Sequence, residues 1–195
     1  MGGRLRVLIA VDEANLVGVA RTVNKRLDWL HIREYLASED EGRELVECIA
    51  YVGLPPAAEE FADRRNKKMG FILWLRNHGF MVLEKEGVRQ EAGHYRANVD
   101  VLMAIDFLDL VETTHPDVVV MVTGDSDFAY LADRLRRRGI RVEVASIDQC
   151  VSRQLRAAAS DFIDLRDILN EAQDLNGNGR TRIGTADILE EEYAT

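Results

Sequence analysis

Short runs of branched apolar residues alternate with longer segments of helical periodicity along most of this 195-residue chain. The run at residues 118–122 (VVVMV) and the run at residues 5–11 (LRVLIAV) are typical of strands that are buried on both faces. Each run is followed by a segment whose apolar residues recur at helical spacing. Strands that alternate with helices predict a mostly parallel central sheet covered by helices on both faces, which is a three-layer α/β/α fold.

The same criteria place the individual elements. The predicted strands are residues 5–11, 45–52, 80–83, 118–122, 140–145 and 162–165. The predicted helices are residues 16–37, 57–78, 99–113, 128–138 and 151–159. Asn15 and Asn98 are expected N-caps, and Gly79 and Gly139 are expected helix stops. The polar stretch at residues 84–96 has no apolar period and predicts an exposed loop.

Length and composition narrow the class of protein. We expect one domain over residues 1–168 and an acidic tail over residues 169–195 that is loosely docked or disordered. No apolar run reaches the roughly 18 residues that a membrane-spanning helix needs. We therefore expect no membrane contact. Cys48 and Cys150 have no metal or redox spacing, so a reducing, cytoplasmic location is expected. The net charge of −9 argues against a passive coating of nucleic acid, but it permits a nucleic-acid substrate held through metal ions.

Acidic residues follow two of the predicted strands at the point where each strand ends. Asp12 closes the first strand, Asp125 and Asp127 follow the strand at residues 118–122, and Asp100 lies in the first turn of the next predicted helix. Ligands of open parallel sheets bind beyond the carboxyl ends of the strands, so these carboxylates are expected at one edge. Four carboxylates repel one another unless a cation neutralises them, and oxygen ligands suit Mg²⁺ or Mn²⁺. The pattern therefore predicts a divalent metal site.

Each of these residues taken singly also fits a structural role. Asp12 and Asp127 lie where a carboxylate stabilises a helix N-terminus, and Asp100 favours the dipole of its own helix. Ser126 is more typical of a helix cap than of a phosphate contact. The shared position at strand ends is what favours a metal site over four separate caps.

Several segments, in order along the chain, resemble the motifs of one known family. Residues 11–16 (VDEANL) resemble the DxxN opening of NYN domains, in the LabA-like branch of the PIN-like nuclease superfamily. Residues 98–106 resemble the GVDV…D helix of that family, and residues 123–128 (TGDSDF) resemble its SGDSDF segment. Residues 138–142 and 152–163 are similar to its GkxV turn and its closing SxxL…aDxFi pattern. The resemblance runs from about residue 6 to residue 165.

The resemblance implies a PIN-like, Rossmann-like fold and a metal-dependent ribonuclease that acts on single-stranded RNA with Mg²⁺ or Mn²⁺. By position it implies four metal-binding catalytic acids, Asp12, Asp100, Asp125 and Asp127. The supporting residues expected around them are Asn15, Thr123, Ser126 and Asp106. Six helical residues turn Asp106 by about 240° from Asp100, so Asp106 is expected to be supporting or structural.

One position departs from the family pattern. NYN sequences often have a lysine just before the GVD segment, whereas Arg96, Ala97 and Asn98 stand here. We expect Arg96 to contact the RNA, because the forked guanidinium group binds phosphate oxygens well.

Other interpretations of the sequence remain open. The protein could be an NYN-fold regulatory or RNA-binding module with little turnover, or a Toprim-like phosphoryl-transfer enzyme, although a Toprim site would require Glu where this chain has Asp12. The basic clusters at residues 64–68 and 134–138 are either RNA contacts or solvated helix faces. A homodimer is compatible with the sequence.

Overall fold

The structure, a computed structural model, describes residues 3–175. Their strands are β1 (Leu5–Asp12), β2 (Arg43–Leu54), β3 (Met81–Glu86), β4 (Val88–Arg89), β5 (Tyr95–Arg96), β6 (Val118–Val122), β7 (Arg141–Ser146) and β8 (Asp161–Asp164). Their α-helices are α1 (Glu13–Thr22), α2 (Trp29–Leu36), α3 (Ala62–Asn77), α4 (Asp100–Thr114), α5 (Ala129–Arg136), α6 (Arg153–Ala158) and α7 (Arg166–Glu171).

Six of these strands form one sheet in the order β3-β2-β1-β6-β7-β8, and every neighbouring pair is parallel. The chain builds outward from β1 to β3, then returns to the other side of β1 as β6. The order therefore reverses between β1 and β6, and their carboxyl ends flank the crevice where open α/β sheets bind ligands. The short strands β4 and β5 form a separate antiparallel hairpin.

Alternate residues of the central strands enter two separate apolar cores. Val7, Ile9 and Val11 of β1 belong to the core shared with α1, α2, α3 and α7. Leu8 and Ala10 belong to the core shared with α4, α5 and α6. All five side chains are at most 2% exposed, as expected for a strand covered on both faces. The predicted three-layer α/β/α architecture is confirmed.

The single helix predicted at residues 16–37 is wrong, because the chain forms α1 and α2 with a turn between them. Helix α1 starts at Glu13, since the Asp12 side chain caps it, and α2 is capped in the same way by the exposed Asp28. Between them Asn24 adopts a φ of 56°, a left-handed conformation that asparagine tolerates better than most residues. Asn15 is therefore inside the first turn of α1 and is not its cap.

Other boundaries differ in smaller ways. The predicted helix at residues 57–78 starts at Ala62, after a 3₁₀ turn. The predicted loop at residues 84–96 is wrong in part, since it holds the end of β3 and the β4–β5 hairpin. Helix α7 was not predicted. Gly79 and Gly139 follow their helices with φ values of 80° and 82°, which confirms both as stops.

The end of the described chain lies against the turn between α1 and α2. Leu169 is buried, Lys25 pairs with Asp174 at 2.9 Å, and Leu175 N–H donates to the Asn24 carbonyl at 3.2 Å. The rest of the predicted tail, residues 176–195, lies outside the described residues. In residues 3–175, no helix combines the length and apolar character needed to cross a membrane.

Candidate metal centre

Three carboxylates meet at the carboxyl edge of the sheet, beside the crevice between β1 and β6. Asp125 and Asp127 come from the loop after β6, and Asp100 is the first residue of α4. Each offers one oxygen that lies within 4.8 Å of the oxygens offered by the other two. Asp100 and Asp125 are half-buried and Asp127 is exposed. Acids this close together are stabilised by a cation, and their hard oxygens are the ligands that Mg²⁺ and Mn²⁺ prefer.

The loop that carries two of these acids is held by its own polar groups. Asp125 Oδ1 accepts a hydrogen bond from Asp127 N–H at 2.9 Å, which caps the 3₁₀ turn Ser126–Phe128. The Ser126 hydroxyl lies 3.5 Å from the same oxygen. Thr123 Oγ1 accepts from Asp125 N–H at 3.3 Å. These contacts fix the direction of the Asp125 side chain and leave its Oδ2 for another ligand.

Gly124 sets the path of this loop. A Cβ at this position would lie 2.0 Å from the Cys150 carbonyl oxygen, so only glycine fits between the loop and the chain that follows β7. Gly124 N–H donates to Asn15 Oδ1 at 2.9 Å, and Ser152 N–H donates to the Gly124 carbonyl, also at 2.9 Å. Asn15 thus ties the first turn of α1 to the acidic loop, which is a supporting position.

Asp12 lies next to this group but is not one of the three acids with mutually close oxygens. It is 6% exposed at the end of β1, where its Oδ1 accepts from Asn15 N–H at 3.2 Å. Its Oδ2 accepts from the Thr123 hydroxyl at 3.3 Å. Because Thr123 also accepts from Asp125 N–H, one buried hydroxyl connects Asp12 to the acidic loop.

Burial and neighbouring charge make two of the carboxyls, those of Asp12 and Asp100, hard to ionise in the metal-free protein. Burial raises the pKa of Asp12 to about 6, against the hydrogen bonds from Asn15 and Thr123, and the charge of Asp100 adds to the rise. Burial also raises the pKa of Asp100, helped by Asp125 and Asp127. A bound cation would relieve both effects, so the electrostatics of the site fit a metal ion.

Two further predicted residues, Asp106 and Arg96, are not part of the group of three acids. Asp106, on the second turn of α4, is half-buried with Oδ2 enclosed and without a partner among the described residues, and its burial raises its pKa. Arg96, the last residue of β5, is exposed. Its positive charge lowers the pKa of Asp100, so Arg96 lies close enough to the centre to act on it electrostatically.

Sequence analysis missed a buried ion pair beside Asp12. Lys68 Nζ lies 3.1 Å from both carboxylate oxygens of Glu13, and the two side chains are 0% and 1% exposed. From its position in the chain, Lys68 belongs to the basic cluster at residues 64–68. A signal was present, because Lys68 precedes the buried Phe71, Ile72 and Leu75 by three, four and seven residues, which is the spacing of one helix face.

The second basic cluster, at residues 134–138, lies at the far end of α5 from the acids. This eight-residue helix spans about 12 Å. Arg136 donates to the Ala158 carbonyl at 2.8 Å, and Arg138 pairs with Glu112 at 3.0 Å. These two arginines are therefore engaged in intramolecular contacts away from the centre.

The position of Asp12 predicts a pH-dependent stability of the metal-free protein. An exposed aspartate has a pKa of 3.8, so a value of about 6 in the folded chain means that ionisation of Asp12 costs stability. The cost is complete above pH 6 and disappears as the pH falls toward 4. On the plateau above pH 6, ionisation of Asp12 lowers the free energy of unfolding by on the order of 3 kcal/mol. In EDTA, Asp12→Asn should therefore be more stable than the wild type at pH 8 and equal to it near pH 4, measured by urea unfolding.

Asp28→Asn is the matched control for this experiment. Asp28 caps α2 as Asp12 caps α1, accepting from His31 N–H at 3.0 Å, but it is exposed. Because Asp28 is exposed, its replacement removes no buried charge, so the gain in stability expected for Asp12→Asn should be absent. A stability difference between Asp12→Asn and wild type that does not vary with pH would contradict the assignment.

Comparison with known proteins identifies the family and the fold of the chain. The sequence pattern of the NYN domain matches residues 6–169. The chain is 31% identical over 169 residues to the low amplitude and bright protein LabA of Synechococcus elongatus, covering 84% of this chain and 85% of LabA. A crystal structure of a Vibrio parahaemolyticus protein of unknown function shares the fold with a TM-score of 0.68 and 24% identity, over 87% of this chain and 98% of that one. On the extent of the NYN match and the identity to LabA, the chain belongs to the NYN domain family, in the LabA-like group of PIN-like folds.

Proposed function

We propose that this NYN domain is a metal-dependent ribonuclease that hydrolyses phosphodiester bonds in single-stranded RNA. The observation that carries the proposal is the meeting of Asp100, Asp125 and Asp127 at the carboxyl edge of the sheet. Asp12 joins this group through the shared contacts of Thr123. The proposed ligands are these four acids, and the proposed metal is Mg²⁺ or Mn²⁺.

The residues around the acids have distinct proposed roles. A divalent ion held there would supply activation of water and neutralisation of charge on the phosphoryl group. Thr123 and Asn15 hold Asp12 and the acidic loop in position through hydrogen bonds, of which the one between Thr123 and Asp12 is buried. Asp127 N–H keeps Asp125 oriented, with the Ser126 hydroxyl beside the same oxygen. Arg96, near Asp100, attracts the phosphate backbone.

A nuclease assay tests the proposal directly. Single-stranded RNA and DNA of the same sequence are incubated with the protein in Mg²⁺, in Mn²⁺ and in EDTA, beside Asp12→Asn. We expect cleavage of RNA with either metal, none in EDTA, and a strong loss in Asp12→Asn because one metal-binding charge is removed. Cleavage that persists in EDTA would contradict a metal-dependent mechanism.

A regulatory or RNA-binding module is the second candidate function. Arg96, where the family often has lysine, is the feature that favours it. Calorimetric binding of Mg²⁺ without any RNA cleavage in the same assay would support this candidate. The homodimer remains a prediction, which sedimentation of the full chain would decide.

A further inference from the structure

A cavity of about 440 Å³ lies beside the candidate metal centre, between α1, α3 and the β4–β5 hairpin. Glu13 and Val99, which line it, directly follow Asp12 and directly precede Asp100 in the chain. The lining of the cavity therefore includes the chain neighbours of two of the candidate metal-binding acids. Its volume falls within the range of about 300–1,000 Å³ that is typical of sites for small molecules and cofactors.

The hairpin is fitted closely against the edge of the sheet to form one wall of this cavity. A Cβ on Gly53 would lie 2.9 Å from the Ala97 Cβ, and a Cβ on Gly87 would lie 2.4 Å from Tyr95 Cδ2. The two glycines thus allow the chain around β5 to pack directly on backbone. Tyr95 also packs edge-on against Phe61, with ring centroids 5.9 Å apart. These contacts hold the β4–β5 hairpin in place, even though the hairpin is part of the connection between β3 and α4.

The lining of the cavity is cationic in a chain whose net charge is −9. Arg21, Arg64 and Arg96 contribute guanidinium groups to the lining. The carboxylate that lines it, Glu13, is already neutralised by the buried Lys68. A site of this charge favours an anionic ligand, and guanidinium groups suit phosphate in particular.

One of these arginines is oriented before any ligand arrives. Arg64 Nη2 donates to the Gly93 carbonyl at 2.6 Å, and the guanidinium carbon lies 4.9 Å from the centre of the Phe61 ring. The planar group still has other N–H donors. Arg96 lies on the side of the cavity that approaches Asp100. The cavity thus offers cations on both sides, together with the aromatic side chain of Tyr95 on the hairpin wall.

We infer that this cavity binds one nucleotide of the RNA strand, with Arg64 and Arg96 as phosphate contacts and Tyr95 against the base or ribose. Base stacking on aromatic side chains, combined with cationic groups along the backbone, is a general mode of single-strand binding. The inference rests on the proposed ribonuclease function, since it places the bound nucleotide next to the phosphate held at the metal centre. It adds a subsite made by α1, α3 and the hairpin, none of which carries the three clustered acids.

Equilibrium binding in EDTA tests the inference separately from catalysis. The probes are 5′-adenosine monophosphate and a short single-stranded oligoadenylate, titrated into the wild type and Arg96→Gln. Loss of one charge-assisted contact should weaken binding of both probes about tenfold in Arg96→Gln. Arg89→Gln is the matched control, because Arg89 is in the same hairpin, is paired with Glu60 at 2.9 Å and does not line the cavity. It should bind both probes within about twofold of the wild type.

A second variant separates a shaped site from general electrostatic attraction. Ala14 lines the cavity from the exposed face of α1, so Ala14→Leu fills space without changing charge or leaving a buried gap. It should weaken binding of both probes by at least about fivefold, with thermal unfolding unchanged as a check on the fold. Wild-type affinity in Ala14→Leu, or equal losses in Arg96→Gln and Arg89→Gln, would overturn the subsite.

The outcomes also distinguish this inference from the function on which it rests. Binding of the monophosphate without binding of the oligoadenylate would overturn the assignment to an RNA strand and indicate a free nucleotide as the ligand. RNA cleavage with unchanged KM and unchanged probe affinity in Arg96→Gln would overturn the subsite and leave the ribonuclease intact. The expected binding pattern without cleavage by the wild type would overturn the ribonuclease and leave nucleotide binding established.

Discussion

Replacing Asp125 by asparagine is expected to abolish metal-dependent cleavage of single-stranded RNA while leaving the fold intact. Asparagine can still accept the hydrogen bond from Asp127 N–H, now 2.9 Å long, and it is a favourable residue at such a cap. What disappears is one of the three negative charges that meet at the candidate centre. A bound metal contributes several kcal/mol to the stabilisation of the transition state. If the variant no longer holds the metal, the rate of RNA cleavage should fall by roughly a thousandfold or more.

Initial cleavage rates in Mg²⁺, Mg²⁺ affinity by calorimetry and thermal unfolding together check this expectation. Asp109→Asn is the control, since Asp109 is an exposed acid on α4 outside the acidic group, and the change in charge is the same. It should retain the wild-type rate. A folded Asp125→Asn protein that cleaves RNA at the wild-type rate would refute the assigned role of this side chain.

Replacing Lys68 by methionine is expected to destabilise the protein by about 3–5 kcal/mol, because it leaves the Glu13 carboxylate buried without its ammonium partner. Both side chains are almost fully enclosed, so water cannot compensate for the lost contact. The double variant Glu13→Leu with Lys68→Met should recover most of the loss, since apolar residues of similar size can replace a buried ion pair. Urea unfolding of the three proteins measures both effects.

Lys67→Met provides the comparison for this prediction. Lys67 is the preceding residue of α3 and is exposed, so the same substitution there should change stability by less than about 1 kcal/mol. Equal stability of the Lys67 and Lys68 variants would contradict a stabilising role for the buried pair. The pair also bears on the candidate centre, because Glu13 directly follows Asp12 and ties the start of α1 to α3.

Much of the candidate site could be predicted because the features that position it are local in the chain. The apolar run of β6 ends at Val122, and the next residues make a turn whose polar atoms bond to one another within two or three positions. Gly124 and Asp125 belong to this same short segment, so their roles could be predicted from it. In a parallel sheet the carboxyl ends of neighbouring strands share one edge, so the approach of Asp12 to this loop follows once β1 and β6 are neighbours.

The less predictable parts depend on contacts between distant segments. The break between α1 and α2 has neither glycine nor proline to announce it. The Glu13–Lys68 pair joins residues 55 positions apart. The cationic cavity likewise combines α1, α3 and the hairpin, which no periodicity relates.

The sequence by itself determined the parallel α/β architecture and the acids that end β1 and follow β6, because burial on both faces of a strand and the turn after it leave local signatures. Only the tertiary structure decided which carboxylates lie close together, that Asp12 is linked to them through Thr123, and that Lys68 is paired with Glu13. The physical reason is the separation in sequence of the residues that interact. Periodicity records which face of an element is buried, whereas the partner that a charged side chain meets there is set by how separate elements pack.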